Sequence, residues 1–301
     1  MGRTGQLARA LAAETADGSL TADFLDRRDC DLSQPAARVR DCAERNIADA
    51  DAVLIAAAYT AVDAAEADLE TAMAVNAAAP GAIAEAAASR GIPVVHVSTD
   101  YVFKGDADAP YRPDASVDPL NAYGRTKAAG ERAVMEAQPR AAILRTSWVY
   151  DAVGRNFLTT MLRLGETRPE LRVVDDQTGR PTYAGDLARA CIAAADALVR
   201  GDARAAGIFH VTNTGDPVSW AGFARAIFET AGRDVTVTGI PSSEYPTPAQ
   251  RPAYSVMDTQ VFTTTFAMQL PPWRDGLCRA MEARKAHGAA SGPAGTNEAN
   301  P

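Results

Sequence analysis

Three short apolar runs set the terms for this chain: Asp51–Ala58 (DAVLIAAA), Val94–Val97 and Ala141–Thr146. Each reads as a strand covered on both faces rather than as a strand with one wet side. Between them lie alanine-rich helical stretches, Glu66–Ser89 (in more than one piece, with Pro80 at a break) and Asn121–Gln138. Strands that alternate with helices pair through crossovers, not hairpins, so the order predicts a parallel sheet flanked by helices. That α/β cadence holds through residue 150 and defines a first domain over residues 1–150.

After Gly154 the pattern loosens. A helix over Asn156–Leu164 and a strand over Leu171–Val174 are followed by a polar loop at 176–183. The alanine-rich helix Asp186–Leu198 is expected to pack back on the large sheet. Gly207–Thr212 and Val235–Gly239 read as strands, Trp220–Ala231 as a helix, and Phe262–Phe266 and Trp273–Arg284 close the fold. Residues 151–285 therefore form a smaller α/β domain with segments returning to the first. Residues 286–301 carry no apolar pattern and read as a disordered tail. Within the first domain, Ser19–Leu25 reads as a short strand, 31–35 as a loop and cap opening a helix towards Ile47, and Lys104–Pro119 as a loop long enough to be functional or mobile.

Charge and cysteine usage remove several function classes. With 30 basic and 38 acidic residues and a formal net charge of −8, the chain has no broad electrostatic footprint for nucleic acid. Its four cysteines lack CxxC spacing and only three histidines accompany them, which argues against a zinc site or a disulfide framework. Reduced thiols in a cytoplasmic protein are the expectation. No apolar run approaches the roughly 18 residues of a membrane span, and the N-terminal residues contain no signal-peptide core.

The stretch His96–Lys127 carries the chemistry. Its strand delivers Ser98-Thr99-Asp100-Tyr101 at a C-terminal end, and Tyr123 and Lys127 stand four residues apart on a helix, hence on one face. An ammonium beside a phenol favours the phenolate, so the tyrosine proton is easier to lend. Thr99 can supply a second hydroxyl to the same substrate oxygen. At the chain start, Gly2, Gly5 and Ala8 recur every three residues before a helical segment, a pattern that lets backbone approach a pyrophosphate. Such a fingerprint should follow a buried strand, and only Met1 precedes Gly2. At Asp26-Arg27-Arg28-Asp29 the readings divide. Arginines there can hold a 2′-phosphate, Asp26 can bond the ribose hydroxyls of NAD, and a solvated charge run is the third alternative.

Seven motifs, in order along nearly the whole chain, resemble the dTDP-4-dehydrorhamnose reductases of the extended short-chain dehydrogenase/reductase superfamily. They are Gly2–Ala8 (GRTGQLA), Ala56–Glu66 (AAAYTAVDAAE), Ser98–Phe103 (STDYVF), Tyr123–Lys127 (YGRTK), Arg145–Tyr150 (RTSWVY), Asp176–Thr182 (DQTGRPT) and Tyr245–Pro252 (YPTPAQRP). The resemblance implies a Rossmann-type first domain that binds NADPH, with NADH as an alternative. It implies reduction of the C4 ketone of dTDP-4-dehydro-L-rhamnose, a dTDP-sugar. By its pattern Tyr123 donates the proton, Lys127 orients the nicotinamide ribose and holds the phenol pKa down, and Thr99 bonds the substrate oxygen. Gly2, Gly5, Gln6, Leu7, Arg27, Asp31, Leu32, Ala57, Ala58 and Tyr59 would line the cofactor together with Tyr123 and Lys127. Thr99, Asp100, Tyr101, Trp148 and Arg251 would meet the sugar nucleotide, Arg251 at its diphosphate.

Some relatives bridge a homodimer with a divalent ion held partly from the first helix. The matching position here is Ala10, so no metal is expected, while a homodimer stays compatible. The family's first strand is replaced by Met1, which leads to the expectation that the natural chain starts further upstream. Two other readings stand beside the reductase: another nucleotide-sugar reductase or an epimerase, and a non-catalytic regulatory relative similar to the methionine adenosyltransferase regulatory subunit.

Overall fold

A computed structural model describes residues 1–18 and 20–290. Helices α1 (Gln6–Glu14) and α2 (Ala36–Asn46) precede strand β1 (Val53–Ile55). Helices α3 (Val62–Ala65), α4 (Leu69–Met73) and α5 (Ala79–Ala88), the last two joined by a π-helical turn at Ala74–Ala78, lead to β2 (Val94–Thr99). Helix α6 (Ala122–Ala137) then crosses to β3 (Ala141–Thr146). Next come β4 (Val149–Tyr150), α7 (Phe157–Leu164), β5 (Glu170–Val174), β6 (Thr178–Gly179), β7 (Thr182–Tyr183) and α8 (Ala184–Val199). The chain returns to the large sheet as β8 (Gly207–His210) and ends with β9 (Val218–Ser219), α9 (Trp220–Ala231), β10 (Thr236–Ile240), α10 (Gln260–Phe266) and α11 (Trp273–Ala290).

The large sheet runs β1-β2-β3-β8 and every pairing in it is parallel, with His96 of β2 in register with Ile55 and Ile143. Alternation along the strands divides the core in two. Val95, Ala142 and Leu144 pack against α1 and α8, through Leu7, Leu187 and Cys191. Val94, Ile55 and Ile143 pack on the other face against α2 and α5, through Val39 and Ile83. Both faces are covered, which is why these strands read as unbroken apolar runs. Helix α8 sits on the large sheet, as its alanine-rich face suggested. A separate core of Tyr150, Leu158, Phe223, Ile227, Trp273 and Leu277 joins α7, α9 and α11. Beside it, β5 and β10 pair in parallel.

Four boundaries differ from the sequence reading. The run at Asp51–Ala58 forms a ladder only over Val53–Ile55, because the amides of Ala56 and Ala57 donate instead to the Met1 carbonyl (3.0 and 3.1 Å). Residues 21–26 form no strand and no other regular element. Their backbone has Gly2 alongside, which donates a single bond to the Leu25 carbonyl (2.9 Å), and one bond makes no ladder; Ser19 lies outside the described residues. The strand expected over Gly207–Thr212 stops at His210. Residues 286–290, expected in a disordered tail, continue α11; the remainder of that segment lies outside the described residues. Before α1 no ladder forms among the described residues, and Met1 bridges the gap, its amino group donating to the Leu54 carbonyl (2.7 Å).

Candidate active site

Helix α6 brings the tyrosine and lysine to the end of the sheet. Its N-cap, Asn121, accepts from the Gly124 amide (2.8 Å) and donates to the Gln250 carbonyl (2.7 Å), so one side chain starts the helix and ties down the 245–252 segment. Glycine at 124 is dictated by distance. A Cβ there would lie 2.1 Å from the Tyr101 carbonyl oxygen, so any side chain would force α6 off the Thr99–Val102 turn. With glycine the two segments close, and the rings of Tyr101 and Tyr123 meet edge to face, 5.6 Å apart at 75°.

Thr99, the last residue of β2, accepts from the Tyr101 amide (3.2 Å) and donates to the Asp100 carboxylate (2.9 Å). Burial pushes the Asp100 carboxyl up to about 6, against hydrogen bonds from the Ser255 and Thr99 hydroxyls. Its placement makes it a partner of Thr99 before anything else. Burial likewise raises the Tyr123 phenol above its ordinary value; the Thr99 hydroxyl beside it pulls down and the Asp100 charge pushes up. The expectation that Lys127 holds this phenol down is corrected here. The Lys127 ammonium donates to the Val97 carbonyl (2.7 Å) and lies 3.2 Å from His96 Nε2, and desolvation drops its own pKa to about 8, with Glu131 opposing.

The sheet's C-terminal edge opens on a cavity of about 950 Å³, where open α/β sheets hold ligands. It runs from the α1 N-terminus to Trp148 and Trp220, and Thr99, Asp100, Tyr101, Tyr123 and Lys127 line its middle. Gly2, Gly5, Gln6, Leu7, Arg27, Asp31, Leu32, Ala57, Ala58 and Tyr59 line its other end. Gly2 sits at φ +110°, where a Cβ would meet the Ala57 amide nitrogen at 3.3 Å; only glycine lets these two backbones draw together here. Arg27 is 79% exposed and pairs with Asp31 (3.3 Å), whereas Arg28 turns to Asp26 and lies outside the cavity wall. The Ser33 hydroxyl and amide hold the Asp31 carboxyl at about 2, with Arg27 helping.

At the far end Trp148 takes a left-handed backbone conformation (φ +49°) and its indole stacks flat on Trp220, 3.5 Å away at 6°. Arg251 is the one expected site residue that does not reach the cavity wall. Its guanidinium pairs with Asp63 (2.9 Å) and bonds the Ala249 carbonyl (3.0 Å), next to Tyr101. It latches the 245–252 segment to α3.

Sequence reasoning missed three residues. Asn76, fully buried in the π-helical turn, accepts from the Tyr59 amide (2.8 Å) and donates to the Tyr59 carbonyl (3.0 Å) and the Thr126 hydroxyl (3.0 Å). It clamps the loop after β1 to α6. A lone asparagine on the apolar face of an alanine-rich helix was the available signal. His96 and Trp220 carried none, since their partners are remote in sequence.

Comparison with known proteins identifies the family. A family model described as "RmlD substrate binding domain" matches residues 1–285. The dTDP-4-dehydrorhamnose reductase of Sinorhizobium fredii is 43% identical over 286 residues, covering 92% of this chain and 94% of the relative. This chain belongs to the dTDP-4-dehydrorhamnose reductase family. The Mycobacterium tuberculosis member is 42% identical, over 94% of this chain and 91% of its own length. Among solved structures, the Clostridium acetobutylicum reductase superposes with a TM-score of 0.88 at 36% identity, covering 94% of this chain and 98% of that one. The Bacillus anthracis reductase, solved in complex with NADP, gives 0.86 at 34% identity, with 94% and 97% covered. Family membership makes the chain an oxidoreductase with a Rossmann-type fold. No helix among the described residues is long and apolar enough to cross a membrane.

Proposed function

We propose that this chain reduces the C4 ketone of dTDP-4-dehydro-L-rhamnose to the alcohol of dTDP-L-rhamnose, using NADPH. The observation that carries the reading is the meeting of Thr99 and Tyr123 on one wall of the cavity, in a member of this reductase family. When bound, reduced nicotinamide supplies the hydride that the ketone carbon accepts. The chain's own residues manage the oxygen. Thr99, whose one hydroxyl proton rests on the Asp100 carboxylate, would turn that proton to the ketone oxygen when substrate binds, and Tyr123 Oη gives its proton as that oxygen gains charge. Burial raises the phenol, so Tyr123 stays protonated at working pH and is competent as an acid.

The residues fit a dinucleotide. Gly2 draws backbone to backbone at the α1 N-terminus, where partial positive charge favours a pyrophosphate. Arg27 stands free enough to bond a 2′-phosphate, which favours NADPH over NADH. Arg27→Ala is expected to raise the KM for NADPH about tenfold, the worth of about 1.4 kcal/mol, and to leave NADH kinetics nearly unchanged. Equal losses with both cofactors would remove Arg27 from the phosphate site. Asn76→Ala frees the Tyr59 amide and carbonyl and is expected to weaken NADPH binding by about tenfold, read by titrating nicotinamide fluorescence. Unchanged affinity in a folded variant would show that the clamp is dispensable. We assign Trp148 and Tyr101 to the sugar end and Arg251 to the diphosphate, which requires the Asp63 pair to open or to share the guanidinium.

The test is NADPH consumption with dTDP-4-dehydro-L-rhamnose and identification of the product as dTDP-L-rhamnose. Absence of net NADPH oxidation, with the sugar epimerised instead, would overturn the reading. Binding without any turnover would favour the regulatory relative.

A further inference from the structure

Lys127 is buried and its side chain reaches the large sheet, not a carboxylate. Glu131, one turn further along α6, is committed elsewhere: its two oxygens accept from Nε and Nη2 of Arg145 (2.8 and 2.7 Å), and it also accepts from the Ser98 hydroxyl (2.5 Å). Among the described residues, the two groups at hydrogen-bond distance from Lys127 Nζ both come from β2: the Val97 carbonyl at 2.7 Å and His96 Nε2 at 3.2 Å. We infer that His96 is a positioning residue for Lys127: as a neutral imidazole accepting at Nε2 it fixes the ammonium so that its remaining N–H faces the cofactor end of the cavity.

The argument is one of donors and acceptors. An ammonium has three protons and no lone pair, so any bond it makes to imidazole requires an unprotonated Nε2 and puts the proton on Nδ1. Burial holds His96 neutral, far below its ordinary pKa, and the Lys127 charge depresses it further. His96 Nδ1 has no hydrogen-bond partner among the described residues. A leucine at this position, flanked in register by Ile55 and Ile143, would satisfy the sheet without that orphan. The arrangement therefore leaves one buried N–H unpaired while it supplies the lysine with a second acceptor. With one proton on Val97 and one on His96, the third points where Lys127 lines the cavity. The other ionisable groups near Lys127 are Tyr123 and Glu131 on α6 and Arg145 on β3, the last two neutralising each other.

This inference rests on the proposed role of Lys127 in holding the cofactor ribose, and its test does not depend on the sugar substrate. His96→Leu removes the acceptor and leaves apolar surroundings, so the ammonium form becomes less favourable and the Lys127 pKa falls further. In the folded variant the NADPH dissociation constant is expected to rise about tenfold, the effect of losing one hydrogen bond to a charged group. The basic limb of the pH dependence of NADPH binding should move to lower pH, and the KM for the sugar nucleotide should change little. His96→Gln, which returns an amide oxygen at similar reach, should recover most of the affinity and the original limb. A purely structural histidine would lower thermal stability without moving that limb. An unmoved limb with unchanged NADPH affinity in His96→Leu overturns the inference, as does a His96→Gln variant that behaves like His96→Leu. So does nitrogen NMR of the wild-type protein if Nε2, rather than Nδ1, carries the proton, and that measurement stands even if His96→Leu fails to fold. A wild-type enzyme that binds NADPH but ignores dTDP-4-dehydro-L-rhamnose would sink the substrate assignment and leave this test intact.

Discussion

Tyr123→Phe is expected to lower kcat by about 10²–10⁴-fold while NADPH binding stays within about twofold, since general acid catalysis is worth about that much and the ring still fills its place against Tyr101. Thr99 would still polarise the ketone but could not deliver a proton without Asp100 or solvent behind it. The pH dependence follows from the two groups in the middle of the cavity. Burial raises the phenol, so Tyr123 is not the group that titrates first. Lys127 is needed as an ammonium, and its pKa is lowered from 10.5 to about 8. Its charged fraction therefore falls as pH rises through about 8, and kcat/KM for NADPH should bend downwards there. Steady-state kinetics with Tyr123→Phe and wild type across the alkaline range checks this. Full activity of Tyr123→Phe would remove the proposed donor, and a profile flat to about pH 10 would return Lys127 to an ordinary, solvated value.

The second large effect is on stability. The Arg145 and Glu131 side chains are 2% and 5% exposed and pair through two hydrogen bonds, Nε to Oε1 and Nη2 to Oε2. They pin β3 to α6, and Arg145 also reaches the Pro113 carbonyl (3.2 Å) and lies over Phe103. Glu131→Ala strands a buried guanidinium and is expected to cost about 3–5 kcal/mol, a large share of the roughly 5–15 kcal/mol that holds a domain together. Chemical denaturation measures it, and a loss below about 1 kcal/mol would mean that water or another acceptor reaches Arg145. Glu131→Gln, which keeps the shape and one acceptor, should cost less. Because α6 carries Tyr123 and Lys127, activity should fall with stability in both variants.

Much of the site was legible because it is local. Asn121 caps the helix that the spacing of Tyr123 and Lys127 required, and Thr99 ends a strand whose apolar run marked it. The parallel sheet followed from the order of strands and helices, since no hairpin could join runs so far apart. The strand expected over Ser19–Leu25 failed for the opposite reason. Its composition suits a strand, but a ladder exists only where a neighbour supplies several bonds, and here Gly2 supplies one.

Lys127 separates the two kinds of knowledge best. Its place four residues after Tyr123 follows from the sequence, and so does the face they share, because helix geometry depends only on local spacing. What the ammonium touches does not. Its partners, Val97 and His96, come from a strand about thirty residues earlier, brought near by the close approach of α6 to the turn after β2 that Gly124 permits. The motif thus determined which groups stand together and in what order. Only the tertiary structure decided their protonation, because desolvation and hydrogen bonding depend on who the neighbours are. Burial raised the phenol that local spacing expected to be lowered. The Asp63 partner of Arg251 and the Trp220 partner of Trp148 were hidden for the same reason: each pairs residues far apart in the chain, and no periodicity records such a meeting.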